Sequence, residues 1–192
     1  MQSLLVATIS PERLGTYLSA AGHDLQRALS LYLWNAEIGA AFHLPIQTFE
    51  IALRNKIDQE LRSRFISRWM CDPEFLSHIS FKSRQAIRGA QARIPGSMSH
   101  SQIMANISLG FWVSLLKHER LELKVFTETS GVSIAAEISF LRNRIFHHEP
   151  IFKRDLLADY GLIMKLLYQL CPATHNWIRP HCRVPALVRQ KP

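Results

Sequence analysis

The sequence predicts an all-α, single-domain protein, and three observations lead to this prediction. Apolar residues recur every three or four positions along most of the chain, which is the period of an amphipathic helix. Alternation of apolar and polar residues is rare, and β-branched residues do not cluster between turn residues, so no stretch indicates a strand. The chain has 192 residues and is 47% hydrophobic, which suits one domain with a sizeable core. We expect a helical bundle over residues 1–192, with its core at about 10–170 and a basic, proline-containing tail at 172–192.

The first predicted helix covers residues 10–21. Ser10 has the side chain of a typical helix N-cap, and Pro11 follows it at the first helical position. Glu12 adds an acidic side chain to the first turn, where the helix dipole favours it. We expect Gly22 to close this helix.

A longer helical pattern starts after Asp24, a candidate cap. It runs over residues 25–42, is interrupted at Pro45, and resumes over 46–64. Because proline removes a helical hydrogen bond and crowds the preceding turn, we expect either one long bent helix or a helix pair.

The rest of the chain follows the same spacing. The predicted elements are an irregular segment at 66–80, a helix at 82–93, a loop at 94–97, a short helix at 101–104, a helix at 107–118, a polar connection or frayed helix at 119–130, a helix at 132–148 and a long helix at 156–170. We expect Pro150 and Pro172 to end the last two helices, since the residue before a proline is pushed away from the helical region.

Charge and composition narrow the functional class. The net charge is +8, which is compatible with a polyanion partner or with a generally basic surface. No run of eighteen apolar residues indicates a membrane span, and we expect no signal peptide because the N-terminus lacks a charged n-region and a small-residue cleavage site. The three cysteines are far apart and form no CxxC pair, which is typical of free thiols in a reducing cytoplasm. The sequence thus predicts a cytoplasmic protein without a membrane partner.

The stretch LRNRIFHHEPI, residues 141–151, concentrates cationic and titratable side chains at the end of a predicted helix. Asn143 and His147 are four positions apart and share one helix face. Arg142 and His147 are five apart, which separates them by about 140° around an ideal helix. These two side chains can meet on one substrate only if the last turn unwinds or a second copy of the stretch contributes.

Several chemistries can be compared for this cluster. A zinc site needs four ligands, and the adjacent His147 and His148 point about 100° apart on a helix. No HExxH motif, cysteine pair, local signature of a nucleophilic serine or cysteine, or glycine-rich phosphate loop is present. A structural role stays open, in which Arg142 and Glu149 form salt bridges and His147 caps the helix end.

Phosphodiester cleavage is the remaining chemistry. A histidine can take a proton from an RNA 2′-hydroxyl or give one to the leaving 5′-oxygen. An arginine can bind a phosphate through two hydrogen bonds and stabilise the charge that grows in the transition state. Because the 2′-hydroxyl is the nucleophile, this reaction requires neither a metal nor another cofactor.

The segment from Arg142 to His147 resembles the R-N-x-x-x-H motif of the HEPN superfamily. The segments Leu31–Asn55, Ile107–Leu116 and Leu141–Ile151, in this order and spacing, resemble the bacterial Abi-like family, a HEPN branch tied to phage abortive infection. The resemblance covers roughly residues 10–170.

This resemblance implies a HEPN-like helical bundle, a homodimer, and metal-independent RNA cleavage at the place where two motif helices meet. Carried over by motif, Arg142 and His147 are the catalytic pair, and Asn143 orients the pair or the phosphate. His148 and Glu149 lie just outside the motif as supporting candidates. The resemblance also leaves room for an antitoxin or another defence-system partner.

Glu50, Arg54 and Asn55 match the E-x-x-x-R-N of the family's N-terminal region, and the resemblance makes them supports of the site. From spacing alone, Glu50 and Arg54 form either a solvated i,i+4 ion pair or an inward-facing polar pair.

RNA is the expected partner, and two further readings stay open beside a nuclease: a non-catalytic RNA-binding or regulatory HEPN module, and a helical scaffold in which the motif stabilises a dimer. The candidate phosphate contacts are Lys82, Arg84, Arg88, Arg144 and Lys153.

Overall fold

A computed structural model describes residues 2–65, 68–94, 96, 99–117, 121–128 and 130–192. Every regular element in these ranges is a helix, which confirms the predicted all-α class. The α-helices are α1 Gln2–Ile9, α2 Pro11–Ala20, α3 Leu25–Arg62, α4 Pro73–His78, α5 Phe81–Ala92, α6 His100–Ala105, α7 Leu109–Leu115, α8 Leu121–Val125, α9 Gly131–Phe146, α10 Leu156–Leu170, α11 Pro172–Ile178 and α12 Val184–Val188. Two short 3-10 helices cover Trp69–Cys71 and Arg179–His181. None of the described helices combines the length and apolar composition that a bilayer crossing requires.

The helix α3 is the axis of the bundle. It is one continuous helix of 38 residues and passes through Pro45, so the alternative of a helix pair is wrong. Proline donates no hydrogen bond to the carbonyl four residues before it. Pro45 is itself buried, and tertiary packing on both of its sides holds the helix together: α2, α7, α8, α9, α10 and α12 all contact α3.

The predicted caps of the first helices are present. The Ser10 hydroxyl accepts a hydrogen bond from the backbone N–H of Arg13 at 3.3 Å, and Asp24 Oδ1 accepts one from Arg27 N–H at 3.0 Å. Gly22 lies just beyond α2 with a φ of +64°, a backbone conformation that glycine adopts without strain. The helix α1 was not predicted, because its composition is apolar on all sides and shows no helical period.

The middle of the chain is more helical than predicted. The segment expected to be irregular contains the 3-10 helix and α4, whose N-terminus is capped by Asp72. The segment at 119–130, predicted as a polar connection or a frayed helix, contains the helix α8, which packs on α3 with Leu121 and Val125 buried. Short helices gain most of their stability from such packing, which local sequence does not show. Parts of the predicted elements at 66–67, 95, 97–98, 118–120 and 129 lie outside the described residues.

From helical phase, seven residues are predicted to be mostly buried: Phe49, Leu53, Phe111, Ile138, Leu141, Ile145 and Tyr160. The first five of these lie in the core. The other two are half-buried: Ile145 lies in the last turn of α9, beside a cavity, and Tyr160 lies at the edge of α10.

The segment 172–192, which composition describes as a tail, folds onto the bundle. Pro172 follows the end of α10 and is the first residue of α11. Val184 and Leu187 belong to the main core, and Trp34 Nε1 donates a hydrogen bond to the Leu187 carbonyl at 2.8 Å. The C-terminal segment therefore stabilises α3 directly.

Candidate active site

The motif helix α9 ends in a Schellman turn centred on His148. The N–H of Glu149 donates to the Arg144 carbonyl at 2.8 Å, and the N–H of His148 donates to the Ile145 carbonyl at 3.0 Å. This pair of bonds satisfies carbonyls that the helix end leaves free. His148 has a φ of +56°, a conformation that is uncommon for residues other than glycine. The chain thus reverses immediately after His147.

Three side chains anchor this turn. Arg13 Nη1 of α2 donates to the His148 carbonyl at 2.8 Å. Arg144 Nη2 donates to the Pro150 carbonyl at 2.7 Å. Asn35 Oδ1 of α3 accepts from the N–H groups of Ile151 at 2.8 Å and Phe152 at 3.2 Å. The end of the motif is therefore held by α2, α3 and α9 together.

Arg144 and Glu149 form a salt bridge across the turn, with 3.1 Å between Nη1 and Oε2. The structural alternative for the cluster expects Glu149 to form a salt bridge, and its partner in that bridge is Arg144. Since Arg144 also binds the Pro150 carbonyl, much of its guanidinium is engaged within the protein.

Arg142 is positioned by the next turn of its own helix. Its guanidinium carbon lies 4.1 Å from the centroid of the Phe146 ring, within the range of a cation–π contact. Its Nη1 donates to Asn143 Oδ1 at 3.4 Å, and its Nε is buried without a hydrogen-bond partner. The side chain is therefore oriented while retaining donors for an anion.

His147 is the C-cap of α9, and its side chain is exposed beside the exposed Asn143. Neither the ring contact nor the hydrogen bond of Arg142 involves His147. Within one chain, the ring contact and the hydrogen bond of Arg142 therefore do not connect it to His147, the other catalytic candidate.

The predicted supports on α3 lie near the motif. Glu50 is half-buried, and burial raises the pKa of its carboxyl group, although the nearby charges of Arg142 and Arg54 oppose the rise. Glu50 and Arg54 line a hollow of about 220 Å³ together with Phe146 of α9. Arg54 Nε is buried without a hydrogen-bond partner, while Asn55 is exposed. This arrangement favours an inward-facing polar pair, because Glu50 interacts with the motif arginine as well as with its own helix neighbour.

The candidate phosphate contacts lie in two places. Lys82 and Arg88 are exposed on α5, which packs on α6 and α7. Arg84 on the same helix donates to the carbonyls of Leu76 at 3.0 Å and Ile79 at 2.9 Å, so it fastens α4 to α5. Lys153 is exposed in the loop that follows the motif.

Sequence reasoning missed Asn35 and Phe146, which shape the site. A signal for Asn35 was present: it lies four positions after Leu31 and three before Ile38, on the apolar face of α3, where a polar residue requires a partner. Phe146 gave no such signal, because only the fold shows that Arg142 lies against its ring.

Among the described residues, no three His, Cys, Asp or Glu side chains are grouped closely enough to hold a metal ion. Comparison of the chain with known protein families, curated proteins and solved structures finds no match. The resemblance to the Abi-like branch of the HEPN superfamily therefore stays a prediction that depends on the motif and its context.

Proposed function

We propose that this protein is a metal-independent endoribonuclease whose active site contains Arg142 and His147 from two copies of the chain. The observation that carries the proposal is the state of Arg142. Its guanidinium lies on the Phe146 ring, interacts with the charge of the half-buried Glu50 carboxylate, and donates a hydrogen bond only to Asn143 Oδ1 among the described residues. An arginine restrained in this way loses little conformational freedom when it binds a phosphate.

The chemistry follows from the two side chains. His147 of one chain accepts the proton of the 2′-hydroxyl, whose oxygen attacks the adjacent phosphorus, and the leaving 5′-oxygen takes a proton from His147 of the other chain or, more slowly, from water. Arg142 stabilises the additional negative charge on the phosphate oxygens as the new bond forms. The products are a 2′,3′-cyclic phosphate and a free 5′-hydroxyl, so protons and bonds balance without a cofactor.

Two copies are invoked because Arg142 and His147 are five positions apart, about 140° around an ideal helix. The ring contact and the hydrogen bond of Arg142 involve Phe146 and Asn143 and do not include His147. The exposed face of α9 carries Ser133, Ala136, Phe140, Asn143 and His147. Their spacing of three and four residues is that of a helix seam, and small residues in it permit close approach of a second helix. A second α9 packed there in parallel, about a two-fold axis along the seam, brings two motif ends together.

The biological setting of this proposal is phage defence, and it depends on the resemblance to Abi-like proteins alone. In that setting an antitoxin or another defence protein controls the nuclease.

The test is cleavage of total RNA by purified protein, with EDTA present in a parallel sample. Arg142→Ala and His147→Ala should each lower the cleavage rate by at least the factor of about 10²–10⁴ that acid–base catalysis supplies. Lys165→Ala on α10 is a suitable control, because Lys165 is an exposed cation bound to Glu128. Full activity of a folded His147→Ala variant would contradict the assignment, and loss of activity in EDTA would indicate a metal mechanism. RNA binding without cleavage by the wild type would support a non-catalytic module.

A further inference from the structure

Arg54 of α3 carries a half-buried guanidinium group that has no hydrogen-bond partner among the described residues. Its Nε atom in particular is buried. A polar group that leaves water without gaining a partner destabilises the folded state, and a charged group does so more strongly. An arginine retained in this state indicates that a partner from outside the chain completes it.

The acidic residue at the spacing of a helical ion pair does not close on Arg54. Glu50 lies one turn earlier on α3, which is the favourable order of acid and base along a helix. Asp58 and Arg62 have the same order and spacing on this helix, and they form a salt bridge of 2.8 Å between Oδ2 and Nε. Within the described range 2–65, which contains both residues, no salt bridge joins Glu50 to Arg54. Glu50 therefore acts on Arg54 through its charge at a distance.

Glu50 and Arg54 line a hollow whose wall on the α9 side is Phe146. Its volume is about 220 Å³, below the range of about 300–1,000 Å³ that is typical of small-molecule pockets, so it suits one compact group rather than a whole nucleotide. Phe146 also lines a larger cavity of about 850 Å³, but none of the buried, unpartnered side-chain atoms of the described residues belongs to the wall of that cavity. The smaller hollow, by contrast, has the open guanidinium of Arg54 in its wall.

The charges around this hollow favour an anion. Arg54 and Arg142 both attract the charge of Glu50, so two guanidinium groups lie near the same hollow. The guanidinium carbon of Arg142 lies 4.1 Å from the centroid of the Phe146 ring, which lines the hollow. Burial raises the pKa of the Glu50 carboxyl group, which makes it a weaker competitor for these cations than an ordinary glutamate. A phosphate is the compact anion that RNA carries, and a guanidinium offers it two parallel hydrogen bonds.

We propose that Arg54 binds, in this hollow, the RNA phosphate next to the one that Arg142 binds during cleavage. Arg142 does not line the hollow, although its guanidinium lies on the ring of Phe146, which does. The two arginines therefore bind two separate phosphates that lie close together, as neighbours along one strand do. The anion site depends on Arg54 itself, while its place along the RNA rests on the proposed function.

Short RNA substrates isolate this contact. The dinucleotide UpU contains only the phosphate that is cleaved, whereas pUpU and UpUp each carry one further phosphate on a known side. Cleavage of the three substrates gives KM and kcat for the wild type and for Arg54→Gln. Arg54→Met, which fills the same space without a polar group, is measured beside it, so that a folding defect of one variant does not decide the test. Calorimetry with 2′-O-methylated forms, which cannot be cleaved, measures binding separately from nuclease activity.

The wild type should bind pUpU or UpUp more tightly than UpU by at least about tenfold, as one charge-assisted contact supplies. The gain should lie in KM more than in kcat, because the added phosphate takes no part in the reacting bond. Both Arg54 variants should lose this gain. Lys56→Gln is the matched control: it removes the same charge from the same helix, but Lys56 already pairs with Glu60 at 2.9 Å, so the gain should remain.

A structural role for Arg54 predicts a different pattern. If Arg54 supports the fold, Arg54→Gln lowers the melting temperature, and phosphate binding declines only in proportion. Because the guanidinium is unpaired, we expect the melting temperature of Arg54→Gln in phosphate-free buffer to equal or exceed that of the wild type. Pyrophosphate should raise the melting temperature of the wild type and leave that of Arg54→Gln unchanged. Circular dichroism gives all of these values.

Several results would overturn the inference. These are the absence of any gain for pUpU and UpUp in the wild type, the same gain in the Arg54 variants, or an equal loss of the gain in Lys56→Gln. Weaker binding of UpU and UpUp by the same factor in Arg54→Gln would place Arg54 on the cleaved phosphate and contradict the neighbouring one.

Two further outcomes separate the site from its surroundings. A shift of Arg54→Gln from dimer to monomer in light scattering, with the gain intact, would show that a second copy of the chain completes Arg54 and would overturn the phosphate site. Tighter binding of 2′-O-methylated pUpU or UpUp than of UpU by a wild type that cleaves no RNA would uphold the phosphate site and contradict the nuclease.

Discussion

His148 determines how the chain turns at the end of the motif helix. Its backbone lies in the left-handed region with φ +56°, and both hydrogen bonds of the Schellman turn depend on that conformation. Glycine occupies such positions without strain, whereas a histidine bears a steric cost there.

A pair of substitutions tests this geometry. His148→Gly and His148→Ala both remove the imidazole, but only glycine adopts the left-handed conformation freely. The glycine variant should therefore be the more stable of the two by about 1 kcal/mol in urea unfolding. Equal stability of the two variants would mean that the backbone at this position is not left-handed in solution.

Glu50 gives the site a dependence on pH. Burial raises the pKa of its carboxyl group in the folded protein, so the native state holds this proton more tightly than the unfolded chain. Its contribution to stability is complete below the unfolded-chain pKa and declines as pH rises through the window between the two pKa values. Glu50→Gln should therefore gain melting temperature relative to the wild type as the pH rises above the ordinary glutamate pKa of about 4.3.

The control for this measurement is Glu37→Gln, an exposed glutamate on the same helix. Its difference from the wild type should stay nearly constant over the same range. A Glu50→Gln variant that loses stability relative to the wild type as pH rises would contradict the burial argument, and would show that the attraction to Arg142 and Arg54 dominates.

At the scale of the helices, apolar periodicity and capping residues predicted the features that depend on local sequence. The caps at Ser10 and Asp24 and the extents of α9 and α10 follow from side-chain chemistry and spacing. The continuity of α3 through Pro45 could not be predicted, because it depends on helices packed around it from distant parts of the chain. The same holds for α8 and α12, whose few buried residues gain stability only from α3 and its neighbours.

Truncation of Leu141 tests how much the stability of the fold depends on the buried face of α9. It is 1% exposed in the core, and Leu141→Ala should lower the free energy of unfolding by roughly 2–5 kcal/mol. Leu157→Ala, the same change at a half-exposed position of α10, should alter it by about 0.5 kcal/mol or less. Chemical denaturation gives both values, and similar losses in the two variants would contradict the assigned phase of α9.

At the scale of the whole molecule, the sequence predicted the helical class and the residues of the motif but not their arrangement. The separation of about 140° between Arg142 and His147 follows from helix geometry, and the ring contact and hydrogen bond of Arg142 do not involve His147. The placement of Asn35 beneath the turn, and of Phe146 between two cavities, depends on how α3 and α9 cross. Long-range contacts of this kind have no local signature in one sequence.

The central claim is that two copies of the chain share each active site, and complementation between inactive variants tests it most directly. Arg142→Ala and His147→Ala chains are co-expressed with different affinity tags, and the mixed dimers are isolated through both tags. Each mixed dimer contains one wild-type His147 and one wild-type Arg142, located on different chains.

We predict that the mixed dimer cleaves RNA measurably faster than either variant paired with itself, because one site regains both groups. Mixed dimers that form in normal yield, remain folded and are as inactive as the two parent variants would contradict a shared site.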